Sequence, residues 1–346
     1  MRKIDMIMDL QFGSTGKGLL AGYLAEQNNP DTLVTAWAAN AGHTYIDSAG
    51  RRFVHTMLAN GIVSKGLKQI LIGPGSIIDP DNLLRECQEA SGYLAGAHIF
   101  VHQNAAVISQ RHRDEEAGPM TKIGSTKKGV GAAAIQRIRR DPEDMNTAAF
   151  ALRGHRVLDW VTVVTPQQYA MLLDDSEYVQ IEGAQGYSLS MYHGFYPYCT
   201  SRDVSTNQVL ADCGIPHRFG DLEVIGTART YPIRVANRFN EAGEQVGWSG
   251  PAYSDQEEIT FEMIGQEVEL TTVTKLPRRI FTFSMQQVTE AVRMCGVNQI
   301  FLNFTNYLSC ENHVRDMIRR IDEESGATVH WIGRGPTFHD VHRVGV

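Results

Sequence analysis

The chain has 346 residues, 42% apolar and 21% charged, enough for a large core, and no apolar run long enough to cross a membrane. With an N-terminus, MRKIDMIMDL, that lacks the cleavage site of a signal peptide, this predicts a globular protein of the cytoplasm. The net charge of −7 argues against sequence-independent nucleic-acid binding but leaves room for a local basic pocket. Five scattered cysteines with no C-x-x-C pair suggest neither disulfides nor structural zinc.

In chain order, KIDMIMDL reads as a strand and LLAGYLAEQ as a helix, followed by TLVTAWAA as a strand. QILIGPG leads into a helix from DPDNLLRECQEA, and AHIFVH, YVQIEG and LEVIGT are further strands. NQIFLNF, a helix from ENHVRDMIRRIDEE, and TVHWIG close the series. This alternation predicts an α/β fold, a mostly parallel central sheet flanked by helices, as a single domain over residues 1–346. The polar, Gly-rich interval from Asn240 to Gln266 reads as a hairpin or excursion from the sheet. Ligands of such sheets collect at the carboxyl ends of the strands.

Five segments predicted there carry candidate chemistry. The stretch DLQFGSTGKGLL, Asp9 to Leu20, resembles a P-loop but fails its pattern: Gln11 stands where the first glycine belongs, and Lys17 is followed by Gly18 rather than a hydroxyl. Gly13, Gly16 and Gly18 still permit close backbone approach to an anion, with Lys17 as a cation, although an ordinary βα turn has similar glycines. NAGHT, Asn40 to Thr44, brings an imidazole to a strand end, where a lone histidine is more often simply solvated. GSTKKGVG with QRIRR supplies hydroxyls and cations for a phosphomonoester, or a solvated helix face. IEGAQGYSL with YPYCTSRD offers an amide and hydroxyls, and TTVTKLPRR two adjacent arginines suited to a carboxylate.

The motifs Q-F-G-S-T-G-K-G, N-A-G-H-T, G-S-T, E-G-A-Q-G, Y-P-Y-C-T-S and the P-R-R loop, in this order over residues 9 to 279, resemble the adenylosuccinate synthetase family, with a weaker echo in GRGP at 333–336. That resemblance implies a two-step ligase in which a nucleoside triphosphate phosphorylates a purine 6-oxygen and aspartate displaces the phosphate. It makes Lys17, His43 and Ser14 the catalytic positions. Ser14, Asn40, Ser125, Thr126, Arg140, Gln185 and Thr200 would hold the nucleoside monophosphate, Arg140 from across a homodimer interface. Gly13, Thr15, Gly16, Lys17, Gly18, Thr44, Asn306, Gly335 and Pro336 would hold the triphosphate. Thr274, Arg278 and Arg279 would hold aspartate, and Ser14 and Gly42 would contact Mg²⁺.

The departures narrow the expectation. Where the family has a carboxylate base this chain has Ser14, with Thr15 beside it; a serine cannot replace that base unaided, so the chain is either inactive or built for a purine that differs near N1. Guanine's 2-amino group would crowd a carboxylate, and Ser14 makes room for it. The resemblance is therefore closer to the phage branch of the family, the 2-aminoadenylosuccinate synthetases, which act on dGMP. Leu276 at an arginine position suits a deoxyribose. Phe304 and Asn306 replace the Lys and Asp that read guanine, so the expected donor is ATP or dATP. The rival readings are the ordinary reaction with inosine monophosphate and GTP, an inactive nucleotide binder, and a dehydrogenase, for which the G-x-G-x-x-G loop is missing.

Overall fold

A computed structural model describes residues 2–117, 127–240, 242–271 and 275–345. The first strand, β1 (Lys3–Asp9), is buried at every position after Lys3. Its side chains alternate between two apolar layers, Ile4, Met6 and Met8 in one and Ile7 in the other. A strand buried on both faces is what a helix-covered parallel sheet requires.

That sheet has ten strands. After β1 they are β2 (Thr32–Thr35), β3 (Gln69–Ile72), β4 (His98–His102), β5 (Val161–Val164), β6 (Tyr178–Glu182), β7 (Asp221–Arg229), β8 (Gln299–Asn303), β9 (Thr328–Gly333) and β10 (Val341–Arg343). Their spatial order is β10-β9-β8-β7-β1-β6-β2-β3-β4-β5. Neighbours are parallel throughout, except β9 with β10 at one edge. The chain leaves β1 towards β2 on one side, whereas β7 lies on the other, so the crevice beyond Asp9 is a topological switch point.

The helix Lys17–Asn28 packs Leu19, Leu20 and Leu24 into the layer of Ile7, opposite the face of Ile4, Met6 and Met8. Helices Pro166–Asp174, Thr206–Cys213, Met285–Cys295 and Glu311–Ser325 cover the other face through Leu173, Leu210, Val288 and Ile321. Thr165, Ser205 and Ser284 cap three of these by accepting a backbone N–H, each contributing about 1 kcal/mol. Every strand expected from the sequence is present, but TLVTAWAA is extended only to Thr35 before the chain turns to bury Trp37. The excursion begins slightly earlier than expected, with Arg238–Phe239 pairing Gln245–Gly247. Among the described residues no helix is long and apolar enough to cross a membrane.

Candidate active site

The switch point opens into a cavity of about 840 Å³, towards the upper end of the range for small-molecule sites of roughly 300–1,000 Å³. Its floor is the Gly-rich loop. Gly13, Ser14 and Gly16 have φ of 92°, 59° and 99°, so the loop curls in the left-handed region before the helix begins at Lys17. Gly16 is required twice over, since a Cβ there would lie 2.3 Å from the Asn303 amide. Asn303 in turn donates from Nδ2 to the Thr15 carbonyl at 3.2 Å and so buttresses the loop from β8. Gly16 makes no side-chain cap and the first turn has no acid, which leaves the helix N-terminus suited to an anion.

Asp9, the last residue of β1, organises this loop from beneath. Its Oδ1 accepts from the N–H groups of Gln11 and Gly13 at 2.9 and 3.2 Å, and its Oδ2 from Thr15 Oγ1 and Lys17 Nζ at 2.5 and 3.0 Å. Lys17 is itself buried, so this carboxylate fixes where its charge stands. Thr15 is buried beneath the loop, while Ser14 is exposed at its crest.

His43 is not a solvated loop residue. It opens the strand His43–Ile46 of a hairpin with Arg52–His55, and is buried. Its ring stacks on Trp37 with centroids 4.0 Å apart, and Nδ1 meets Glu182 Oε1 at 2.7 Å. Glu182 also accepts from Asn60 N at 2.8 Å and Asn60 Nδ2 at 3.1 Å, and its own carbonyl takes the Trp37 indole N–H at 2.6 Å. A carboxylate only accepts, so Nδ1 carries a proton and Nε2 is the nitrogen left for a substrate. Beside it, Gln185 at φ 65° donates from Nε2 to Asn40 Oδ1 at 3.0 Å, joining two expected nucleotide contacts.

The opposite wall rests on a buried guanidinium. Arg229, at the end of β7, is fully buried and lies with its guanidinium carbon 3.8 Å over the Phe304 ring. It pairs with Glu269, Nη1 to Oε2 at 3.2 Å, and reaches the Ser14 carbonyl at 3.4 Å. Burial alone would raise the Glu269 carboxyl, but hydrogen bonds and charge from Arg229, with the Tyr307 hydroxyl, hold it below the ordinary range. Burial, with Arg229 nearby, depresses Arg278 despite the favourable charge of Glu269.

Most of the expected positions meet in this one cavity. Gly13, Ser14, Thr15, Gly16, Lys17 and Gly18 form the floor, with Asn40, Gly42, His43, Thr44 and Gln185 on one side and Arg278, Asn306, Gly335 and Pro336 on the other. Thr200 stands behind the wall, its N–H on the carbonyl of cavity-lining Leu189 at 2.7 Å. Arg140 is exposed at the C-terminus of the helix Val130–Arg139 and does not line the cavity of its own chain. Arg279 is turned away, paired with Glu258 and donating to the Ser249 hydroxyl at 2.9 Å, so Arg278 alone of the two arginines faces the cavity. Ser125, Thr126 and Thr274 lie outside the described residues. The sequence reading left out Glu182, Arg229, Glu269 and Asn303 and did not see how Asp9 is used. Glu182 was nevertheless visible as the first residue of E-G-A-Q-G, and Asp9 as an acid closing an apolar strand.

Comparison with known proteins agrees with this geometry. The family model described as adenylosuccinate synthetase matches residues 6–149 and 149–314. The chain is 50% identical to the N6-succino-2-amino-2'-deoxyadenylate synthase of Acinetobacter phage SH-Ab 15497, covering 97% of this chain and 92% of that protein. It is 29% identical to the adenylosuccinate synthetase of Methanocaldococcus jannaschii, covering 96% and 94%. Its fold superposes on the succinoaminodeoxyadenylate synthetase of cyanophage S-2L bound to dGMP and dATP as an energy donor, with a TM-score of 0.93 and 46% identity over 100% of this chain and 96% of that one. The chain therefore belongs to the adenylosuccinate synthetase family.

Proposed function

We propose that the chain is a carbon–nitrogen ligase that joins L-aspartate to C6 of dGMP, with ATP or dATP as phosphoryl donor, giving N6-succino-2-amino-2'-deoxyadenylate for diaminopurine DNA. The observation that carries this reading is the pairing of Lys17 and His43 in one cavity with the exposed Ser14 at the crest of its Gly-rich loop. Phosphoryl transfer needs charge compensation on the donor and stabilisation of charge at the acceptor oxygen. Lys17 and the N-terminus of its helix serve the first need. Nε2 of His43, oriented by Glu182 and Trp37, serves the second. Phosphorylation converts the 6-oxygen into a leaving group, which the aspartate amine then displaces. Ser14 leaves space for the 2-amino group of guanine, and Asn306 offers an amide to an adenine edge.

Mg²⁺ suits this site only as an ion held mainly by substrate phosphates. All four hydrogen bonds to Asp9 come from its own loop, and no group of three His, Cys, Asp or Glu is present among the described residues. Oxygens of Ser14 and Gly42, both exposed at the cavity, are the protein ligands we assign. The ion would neutralise charge building on the transferring phosphoryl group. A homodimer completes the proposal. Ile135 and Ile138 are 51% and 73% exposed on the helix leading to Arg140, which supports a second copy covering that face and receiving Arg140.

The test is to follow a heavy-oxygen label placed on O6 of dGMP. The reading requires the label to emerge in inorganic phosphate together with an aspartate adduct of the purine. Label kept on the purine, or found in water, would exclude the 6-phosphoryl route.

A further inference from the structure

The only acid lining the cavity among the described residues is Glu269, set against Lys17, Arg85, Lys128, Arg238 and Arg278. Its place follows from local pairing. Leu270 bridges Pro277 antiparallel, Thr271 N donates to Leu276 O at 2.9 Å, and Arg278 N donates to Glu269 O at 2.8 Å. In an antiparallel pair opposed residues share a face and successive residues alternate. Glu269, Thr271, Leu276 and Arg278 accordingly all line the cavity, whereas Leu270 is 50% exposed on the other face. An acid and a base therefore stand side by side on the wall.

Arg229 explains why a carboxylate is needed nearby, since a buried guanidinium requires a counter-ion. It does not explain why that carboxylate is directly opposite Arg278 and partly open to the cavity, with 25% of its side chain exposed. Among the described residues Oε1 takes Arg229 and the Tyr307 hydroxyl, while Oε2 takes one hydrogen bond, from Arg229. A carboxylate oxygen accepts two, so Oε2 has capacity for one more donor. Phosphates gain nothing from an acid, and an amino acid does.

We propose that Glu269 receives the α-ammonium of the incoming amino-acid substrate while Arg278 takes a carboxylate, the ammonium losing a proton to water before its nitrogen attacks C6; Glu269 is thereby the residue that distinguishes aspartate from a dicarboxylate without an amine. The proposal rests on the ligase reading and deepens it.

The experiment compares L-aspartate as substrate with succinate as competitor, in phosphate release from dGMP, ATP and Mg²⁺. For the unmodified protein, succinate should bind at least about tenfold more weakly than aspartate, the scale of one charge-assisted hydrogen bond. In Glu269→Gln the aspartate KM should rise by about the same factor, with the succinate inhibition constant moving less than about threefold. Arg229→Met/Glu269→Gln, which removes both charges of the pair, should behave likewise if the single variant does not fold. A purely structural role would weaken both ligands equally, and that result, or equal affinities in the unmodified protein, would overturn the assignment while the ligase reading stands. Absence of aspartate-dependent phosphate release from the unmodified protein would overturn both.

Discussion

Replacing Glu182 with Gln tests the orientation of His43 with little change in volume. Glu182 accepts three close hydrogen bonds, from His43 Nδ1 at 2.7 Å, Asn60 N at 2.8 Å and Asn60 Nδ2 at 3.1 Å. An amide has one acceptor oxygen, so its NH₂ must face either the His43 Nδ1 proton or the Asn60 N–H. Losing one charge-assisted bond and stranding one buried donor costs about 2–4 kcal/mol. At this chain length that lowers Tm by roughly 3–6 °C. The catalytic effect is separate. If the amide NH₂ faces Nδ1, that nitrogen must accept and the tautomer reverses; if the amide oxygen faces it, a neutral acceptor replaces the carboxylate, so either way the hold that aims Nε2 at the 6-oxygen weakens. A kcat loss of about 10²-fold is expected, on the scale of losing a positioned acid or oxyanion donor. His43→Ala should fall to a similar level, and the double variant no further, because the two residues act as a unit. Phosphate release under saturating dGMP, ATP and aspartate measures kcat, and thermal unfolding measures the rest. A folded Glu182→Gln protein with kcat within about threefold of the unmodified enzyme would refute the orientation argument.

Other perturbations address separate parts of the site. Ser14→Asp places a carboxylate at an exposed position with φ 59°, a conformation Asp tolerates; the fold should persist while kcat/KM for dGMP drops more than about tenfold, and unchanged turnover would sink the steric argument. Gly16→Ala drives a Cβ to 2.3 Å from Asn303 at φ 99°; it should cost about 1–3 kcal/mol in unfolding free energy and about 10²-fold in kcat through loop displacement, measured by denaturant unfolding and by turnover. Asn306→Asp should shift the ratio of ATP to GTP use by about tenfold towards GTP in competition assays, and an unmoved ratio would remove Asn306 from donor recognition. The Glu269 carboxyl lies below its ordinary value of 4.5, so the stability it adds is complete above that pH and lost as pH falls through the folded pKa. The Tm difference between the unmodified protein and Glu269→Gln should therefore hold constant above about pH 4.5 and close below it; a gap widening on acidification contradicts the pairing.

The sequence carried the sheet well because buried strands such as QILI and YVQIE are short apolar runs that stand out from their polar flanks. It missed the helix Met285–Cys295, whose start is marked only by the Ser284 cap, and also Pro166–Asp174, although Thr165, Pro166 and Gln168 form a capping box with proline at the first helical position. At the site, loop residues from Gly13 to Gly18 were legible because contiguous glycines and a lysine announce themselves. The roles of Glu182, Arg229 and Glu269 were not, even with Glu182 visible in its motif, since they are set by partners 139, 215 and 40 positions away in the chain. Spacing alone could not separate His43 from a solvated histidine for the same reason, as Trp37 and Glu182 bury it only once β2 and β6 are neighbours. Arg278 and Arg279 are indistinguishable in sequence, and strand alternation sends one to the cavity and the other to Glu258.

Phosphate release with dGMP and ATP, set against inosine monophosphate and GTP and against the two crossed pairs, tests the central claim most directly. With Mg²⁺ and L-aspartate present, the account predicts that dGMP with ATP is the productive pair. Preference for inosine monophosphate with GTP would contradict the roles given to Ser14 and Asn306, and release from no pair would contradict the ligase itself.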